Sequence, residues 1–229
     1  MTYFESLFEN ETIVDTAEKL AILKDSVECL YVSDRREDFF VDFEKYPNLV
    51  HLRCDIKHKY RREINSLNKI EQLILFGFTA KKESLSNLNC LRRLTLSKGS
   101  FFNLNFLPKA SKLNYLEINS ISKLKDVTDL KSMSDSLREL DFNGCKNIED
   151  PEATLSMLKY LEVLKCNNVI FENLKWIRNL PNLKQLILLD SDVIDGDISH
   201  AKDISYVAID NKRHYNYRFN SENRKIIAK

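Results

Sequence analysis

Four sets of residues in this 229-residue chain have types or spacing that suggest chemistry. Glu117 and Asp141 occupy equivalent places in neighbouring segments of a repeating pattern, so their strands can lie roughly 5 Å apart. Carboxylates that close can share a proton and do acid–base work. His51, Cys54 and His58 are the donor types that bind zinc. Their spacing argues against a metal, because residues three apart on an extended strand point to opposite faces. Cys29 falls at an outward position and is the candidate reactive thiol, with no neighbouring His or cationic helix end to activate it. Asp195-Gly196-Asp197 is acidic but lacks the remaining ligand spacing of a calcium loop. The chain contains no GxxxxGK, GxGxxG, HExxH or GxSxG. The expectation is therefore no catalytic residue, no metal and no cofactor. An enzyme using Glu117 and Asp141 is the alternative these residues leave.

The elements that must position these side chains are legible as a period. LxxLxL recurs as VECLYV (27–32), LVHLRC (49–54), IEQLIL (70–75), LRRLTL (91–96) and LNYLEI (113–118), then as LRELDF (137–142), LEVLKC (161–166), LKQLIL (183–188) and ISYVAI (204–209). The nine copies start 21 to 24 residues apart. Such a piece is too short for a helix and alternates as a strand does. Apolar residues at spacing three precede each copy, as in Ile64–Leu67–Ile70, Leu104–Leu107–Ala110–Leu113 and Leu174–Ile177–Leu180–Leu183. That spacing suits a short helical or 3-10 return. One unit cannot bury its own apolar face, whereas stacked units share a core. Residues 27–210 form the array. Residues 1–26, with Ala17, Leu20, Ala21 and Leu23 on one face of a helix, are the expected N-terminal cap, and the polar, aromatic residues 211–229 the C-terminal one.

The pattern resembles the leucine-rich repeat family over residues 27–210. LPNLKQLILLDSDVIDG (180–196) and LRELDFNGCKNIED (137–150) carry the resemblance most fully, the second similar to the cysteine-containing repeat type. It implies an α/β right-handed solenoid with a concave parallel sheet and short helical or 3-10 segments on the convex side. Where the family places Asn or Cys, this chain has Arg35, Lys57, Phe78, Gly99, Ile121, Cys145, Val169, Ser191 and Lys212. The side-chain ladder is mostly missing, so the expectation is an irregular solenoid. The ending DNKRHYNYRF is also similar to the last segment of some bacterial cytoplasmic repeat proteins.

In this register the x positions project from the concave sheet. The central column is Tyr31, Arg53, Ile74, Thr95, Glu117, Asp141, Lys165, Ile187 and Ala208. The next is Ser33, Asp55, Phe76, Ser97, Asn119, Asn143, Asn167, Leu189 and Asp210. His51, Arg93 and Tyr115 also point outward. Aromatic, Arg, acidic and aliphatic side chains together are typical of protein interfaces. The partner-binding residues expected are Tyr31, Arg53, Ile74, Phe76, Arg93, Tyr115, Glu117, Asp141, Lys165, Ile187 and Leu189. The bland reading is a solvated face, against which stand the paired apolar groups Ile74/Phe76 and Ile187/Leu189. Coverage of those pairs by a terminal cap or a second copy is the third possibility.

Composition narrows the class. Lys plus Arg is 35 and Asp plus Glu 34, without the basic excess of a nucleic-acid binder. The N-terminus MTYFESLFENETIVDTAEKL has no secretory-signal pattern, and no apolar run is long enough to span a bilayer. Five cysteines, an odd number without CxxC, fit reduced thiols in a cytoplasm. The expected function is non-enzymatic binding of another protein through the concave face, with a bacterial immunity protein or antitoxin as the favoured form. An adaptor or regulatory subunit of an enzyme complex is the alternative.

Overall fold

The structure is a computed structural model that describes residues 3–55, 57, 61–62, 64–81, 83–109 and 112–228. His58 and Ala110 lie outside the described residues. The chain opens with helix α1 (Tyr3–Glu9), strand β1 (Thr12–Val14) and helix α2 (Ala17–Ala21). Then come β2 (Cys29–Ser33), β3 (Val41–Asp42), β4 (His51–Asp55), β5 (Arg61–Arg62), β6 (Gln72–Phe76), β7 (Arg93–Ser97), β8 (Tyr115–Asn119) and β9 (Glu139–Asn143). Helix α3 (Pro151–Leu155), β10 (Val163–Asn167), β11 (Ile170–Phe171), β12 (Gln185–Leu189), β13 (Asp192–Val193), β14 (Tyr206–Ile209), β15 (Tyr217–Asn220) and β16 (Lys225–Ala228) complete it.

Ten strands form one parallel sheet in the order β1-β2-β4-β6-β7-β8-β9-β10-β12-β14. Nine of them are the LxxLxL copies. The tenth, β1, comes from the segment before the first copy and pairs with β2, Ile13 opposite Tyr31. Residues divide into two compact units, 1–101 with 106–113, and 102–105 with 114–229.

Within each repeat the leucines turn inward, as the alternation of a strand requires. Leu52, Leu73, Leu94, Leu116, Leu164 and Leu186 are fully buried. The spacing-three leucines sit on successive i→i+3 turns. Leu88 N–H donates to Leu85 C=O and Leu91 N–H to Leu88 C=O, at 3.1 and 3.0 Å. Leu158 and Leu161 repeat this on Leu155 and Leu158, and Ile177, Leu180 and Leu183 on Leu174, Ile177 and Leu180. In a 3-10 turn residues three apart eclipse, so every third side chain enters the core.

The turn after the strand is more regular than the missing ladder implied. Gly77, Lys98, Ser120, Gly144, Asn168 and Asp190 each follow a strand directly, and all have φ between 51 and 68°. Backbone continues the ladder there: Gly77 N–H donates to Ser97 C=O, Ser120 N–H to Asn143 C=O, and Gly144 N–H to Asn167 C=O. The following residue, where Asn was missing, turns inward: Phe78, Ile121, Cys145, Val169 and Ser191 are buried. Apolar packing replaces side-chain bonding at Phe78, whose ring lies 4.6 Å from Phe106. Ser191 keeps the older role, its Oγ donating to Cys166 C=O and accepting from Val169 N–H.

The two ends differ from each other. Helix α2 is only five residues long and buries none of them fully, Leu20 being half-buried. Leu7 of α1 and Val14 of β1 supply the burial instead. At the other end β15 and β16 form an antiparallel hairpin, and Val207 N–H donates to Arg224 C=O. Tyr215 is buried, and its hydroxyl accepts from Val193 N–H at 3.2 Å.

Candidate functional site

The expected columns are in register. Tyr31 stands opposite Arg53 and Arg53 opposite Ile74. Glu117 stands opposite Asp141, Asp141 opposite Lys165, and Lys165 opposite Ile187. In the first unit the Arg53 guanidinium lies over the Tyr31 ring, 4.3 Å from its centroid. Ile74, Phe76 and Arg93 are each partly exposed.

The chain itself covers much of this unit's outward face. Cys29, His51 and Gln72 form an outward column, in register on β2, β4 and β6, yet they are 7%, 0% and 5% exposed. Helix α1 lies over them. The Phe8 ring is 5.0 Å from the His51 ring, and the Arg93 guanidinium is 5.3 Å from the Phe4 ring. Leu7 is the buried anchor. Beyond the helix, Glu11 Oε1 lies 2.7 Å from His51 Nε2, and Glu11 Oε2 lies 3.9 Å from Arg53. His51 Nδ1 reaches Gln72 Oε1 at 3.2 Å. His51 is thus a satisfied histidine beneath the N-terminal segment, which corrects its expected outward exposure. Cys54 points into the core on the other side of the sheet. Burial, with Glu28 and Glu11 nearby, raises the Cys29 thiol above its ordinary pKa, which is unfavourable for a nucleophile. The repeat pattern held no signal for this covering, because α1 precedes the repeats.

In the second unit the expected residues Tyr115, Glu117, Asp141, Lys165 and Ile187 are partly exposed, and Leu189 is 40% exposed. Glu117 accepts from the Tyr115 hydroxyl at 2.9 Å and from Asn119 Nδ2 at 2.8 Å. Asp141 lies 3.7 Å from Lys165 Nζ. Burial pushes the Asp141 carboxyl up, Lys165 opposes the shift and Glu117 adds to it. Each carboxylate thus has polar partners of its own, Tyr115 and Asn119 for Glu117 and Lys165 for Asp141, and Ile187 stands opposite Lys165. In the Asp195-Gly196-Asp197 turn, Asp197 accepts from Ser199 N–H and Asn216 Nδ2. Among the described residues no three His, Cys, Asp or Glu are grouped to hold a metal ion. No helix among them is long and apolar enough to cross a membrane.

No protein-family model matches the chain, and no curated protein matches it in sequence. Solved structures do. The Toll chain of the Drosophila Toll–Spatzle complex aligns over 79% of this chain and 26% of its own, at 12% identity and a TM-score of 0.57. The fold is that of the leucine-rich repeat proteins. Two further repeat proteins from Listeria monocytogenes align less well. Internalin C2 covers 62% of this chain and 71% of its own, at 23% identity and a TM-score of 0.46. The functional domain of InlJ covers 78% and 32%, at 15% identity and a TM-score of 0.43. The chain spans about a quarter of the Toll chain and about a third of the InlJ chain.

Proposed function

We propose that this chain is a non-enzymatic module that binds another protein through the outward face of its repeat sheet. The observation that carries the reading lies on the second unit. Tyr115, Glu117, Asp141 and Lys165 are held in a hydrogen-bonded and ion-paired array next to the exposed Leu189. Anchors fixed before binding lose little conformational entropy on binding, and mixed aromatic, charged and aliphatic groups are what interfaces use. Tyr31, Arg53, Ile74, Phe76 and Arg93 form a second patch on the first unit. Toll is found in complex with Spatzle, a use of this fold that fits the reading.

Within that class we favour a neutraliser, an immunity protein or antitoxin acting in the cytoplasm on a toxin or effector domain. The ending DNKRHYNYRF supports it, and five free thiols suit a reducing compartment. Affinity capture from the native cell, followed by mass spectrometry, is the test. The captured protein should be a toxin or effector domain whose activity this chain blocks. Recovery of a stable host enzyme complex instead would make the chain an adaptor subunit. With a partner in hand, Tyr115→Ala should weaken binding by about 1–3 kcal/mol. Reversing Glu117 and Asp141 together should slow association with a basic partner, most at low salt. Lys175→Glu, in a 3-10 segment away from the sheet, is the control. Full affinity in the sheet-face variants with loss in the control would refute this reading.

A further inference from the structure

The N-terminal segment occupies a surface that the repeat pattern presents for binding. Its hold on that surface is local and small. Helix α1 has seven residues, fewer than a helix needs to persist in water by itself. Its order therefore depends on docking. One residue of the helix, Leu7, is buried, while Tyr3 and Phe8 remain substantially exposed. The remaining hold comes from the Phe8 ring against His51, the Phe4 ring beside the Arg93 guanidinium, and Glu11, which reaches both His51 and Arg53. Beneath it lie Cys29, His51 and Gln72, a column that the strand alternation aims at solvent.

We propose that residues 3–11 are a displaceable strap over the outward face of the first unit. The segment that replaces it carries the same chemistry: aromatic and aliphatic side chains for the surface under Phe4, Leu7 and Phe8, and a carboxylate for His51 and Arg53. The proposal rests on the sheet face being a protein-binding surface and adds to it the kind of partner segment and a gate. The docked strap is an intramolecular ligand, so partner binding has to outcompete it, and apparent affinity falls by the fraction of molecules with the strap open. Segments with few buried apolar contacts open well below the free energy of global unfolding. Cysteines at three depths make the opening measurable. Cys29 lies under the strap, Cys54 lies in the core on the next strand, and Cys90 is exposed.

The experiment is time-resolved alkylation of the full chain with iodoacetamide, with each cysteine followed by peptide mass spectrometry. In the wild type Cys90 should react first, Cys29 more slowly, and Cys54 slowest. Leu7→Asp removes the buried anchor, and Glu11→Gln weakens the polar one. Each should speed Cys29 by roughly tenfold or more while leaving Cys54 unchanged, as local opening requires. A synthetic peptide of residues 1–12, added to the Leu7→Asp protein, should restore protection of Cys29, and a scrambled peptide should not. Three results would overturn the proposal: Cys29 rates equal in wild type and variants, Cys29 and Cys54 always reacting together, or no protection by the peptide. None of these readouts involves a partner, so the strap and the binding function can fail separately.

Discussion

Gly77 and Gly196 have the same φ, 68°, in different surroundings. A Cβ on Gly77 would meet nothing within 4 Å, whereas one on Gly196 would lie 2.6 Å from the His214 carbonyl oxygen. Gly77→Ala should therefore cost only the left-handed backbone penalty, about 1–2 kcal/mol. Gly196→Ala adds a backbone clash that no side-chain rotation relieves, and its melting temperature should fall clearly further. Similar losses in the two variants would contradict the close approach of His214. The inward register has its own test. Leu164→Asp or Leu186→Asp places a carboxylate at a position with no solvent access and should cost about 3 kcal/mol or more. Glu162→Lys, two residues from Leu164, replaces a residue whose visible partner is Lys184 at 2.5 Å and should leave the melting temperature near that of the wild type. Denaturant melts of the three variants decide the register.

At the scale of elements, the end of the second unit depends on one carboxylate. Asp197 accepts from Ser199 N–H and Asn216 Nδ2, and Asn216 in turn accepts from Ile198 N–H and donates its own N–H to Gly196 C=O. The bonds from Ser199 and Asn216 hold the Asp197 carboxyl down at about 2. A carboxylate depressed in the folded state adds stability above its unfolded pKa and loses it as pH falls through the folded value. The contribution of Asp197 should disappear between about pH 4 and pH 2. Melts across that range should show a steeper acid loss for the wild type than for Asp197→Asn. Parallel curves would mean that the C-terminal residues are not secured through this side chain. The hairpin β15–β16 and the buried Tyr215 belong to the same end. Burial pushes the Tyr215 hydroxyl up to about 12, so it stays protonated across this range.

Over the whole molecule, stability comes from stacked leucine layers without cross-links, since all five cysteines are free thiols. Four are buried, and burial raises Cys145 to about 11 and Cys166 well above its ordinary value. Adding reductant should not change the melting temperature. An intramolecular bridge found by mass spectrometry of the unreduced protein would contradict this and the proposal of a reducing compartment with it.

Much of the molecule is determined by local pattern. A repeat strand buries alternate residues, so LxxLxL by itself set which leucines enter the core and which residues form the outward columns. Spacing three likewise determined the 3-10 returns, because eclipsed side chains need that interval. Tertiary structure decided what lies on the columns. The burial of Cys29, His51 and Gln72 depends on contacts from Phe8 and Glu11, far away in sequence and outside the period. Strand β1 was invisible for the same reason: Thr12–Val14 has no LxxLxL and becomes a strand only by pairing with β2. The turns were missed differently. A ladder of backbone N–H donors leaves no mark on side-chain identity, so Lys98, Ser120, Asn168 and Asp190 share one left-handed conformation without sharing a residue type. A period records what every repeat must do in common, and a single contact made once by the N-terminal segment has no period to record it.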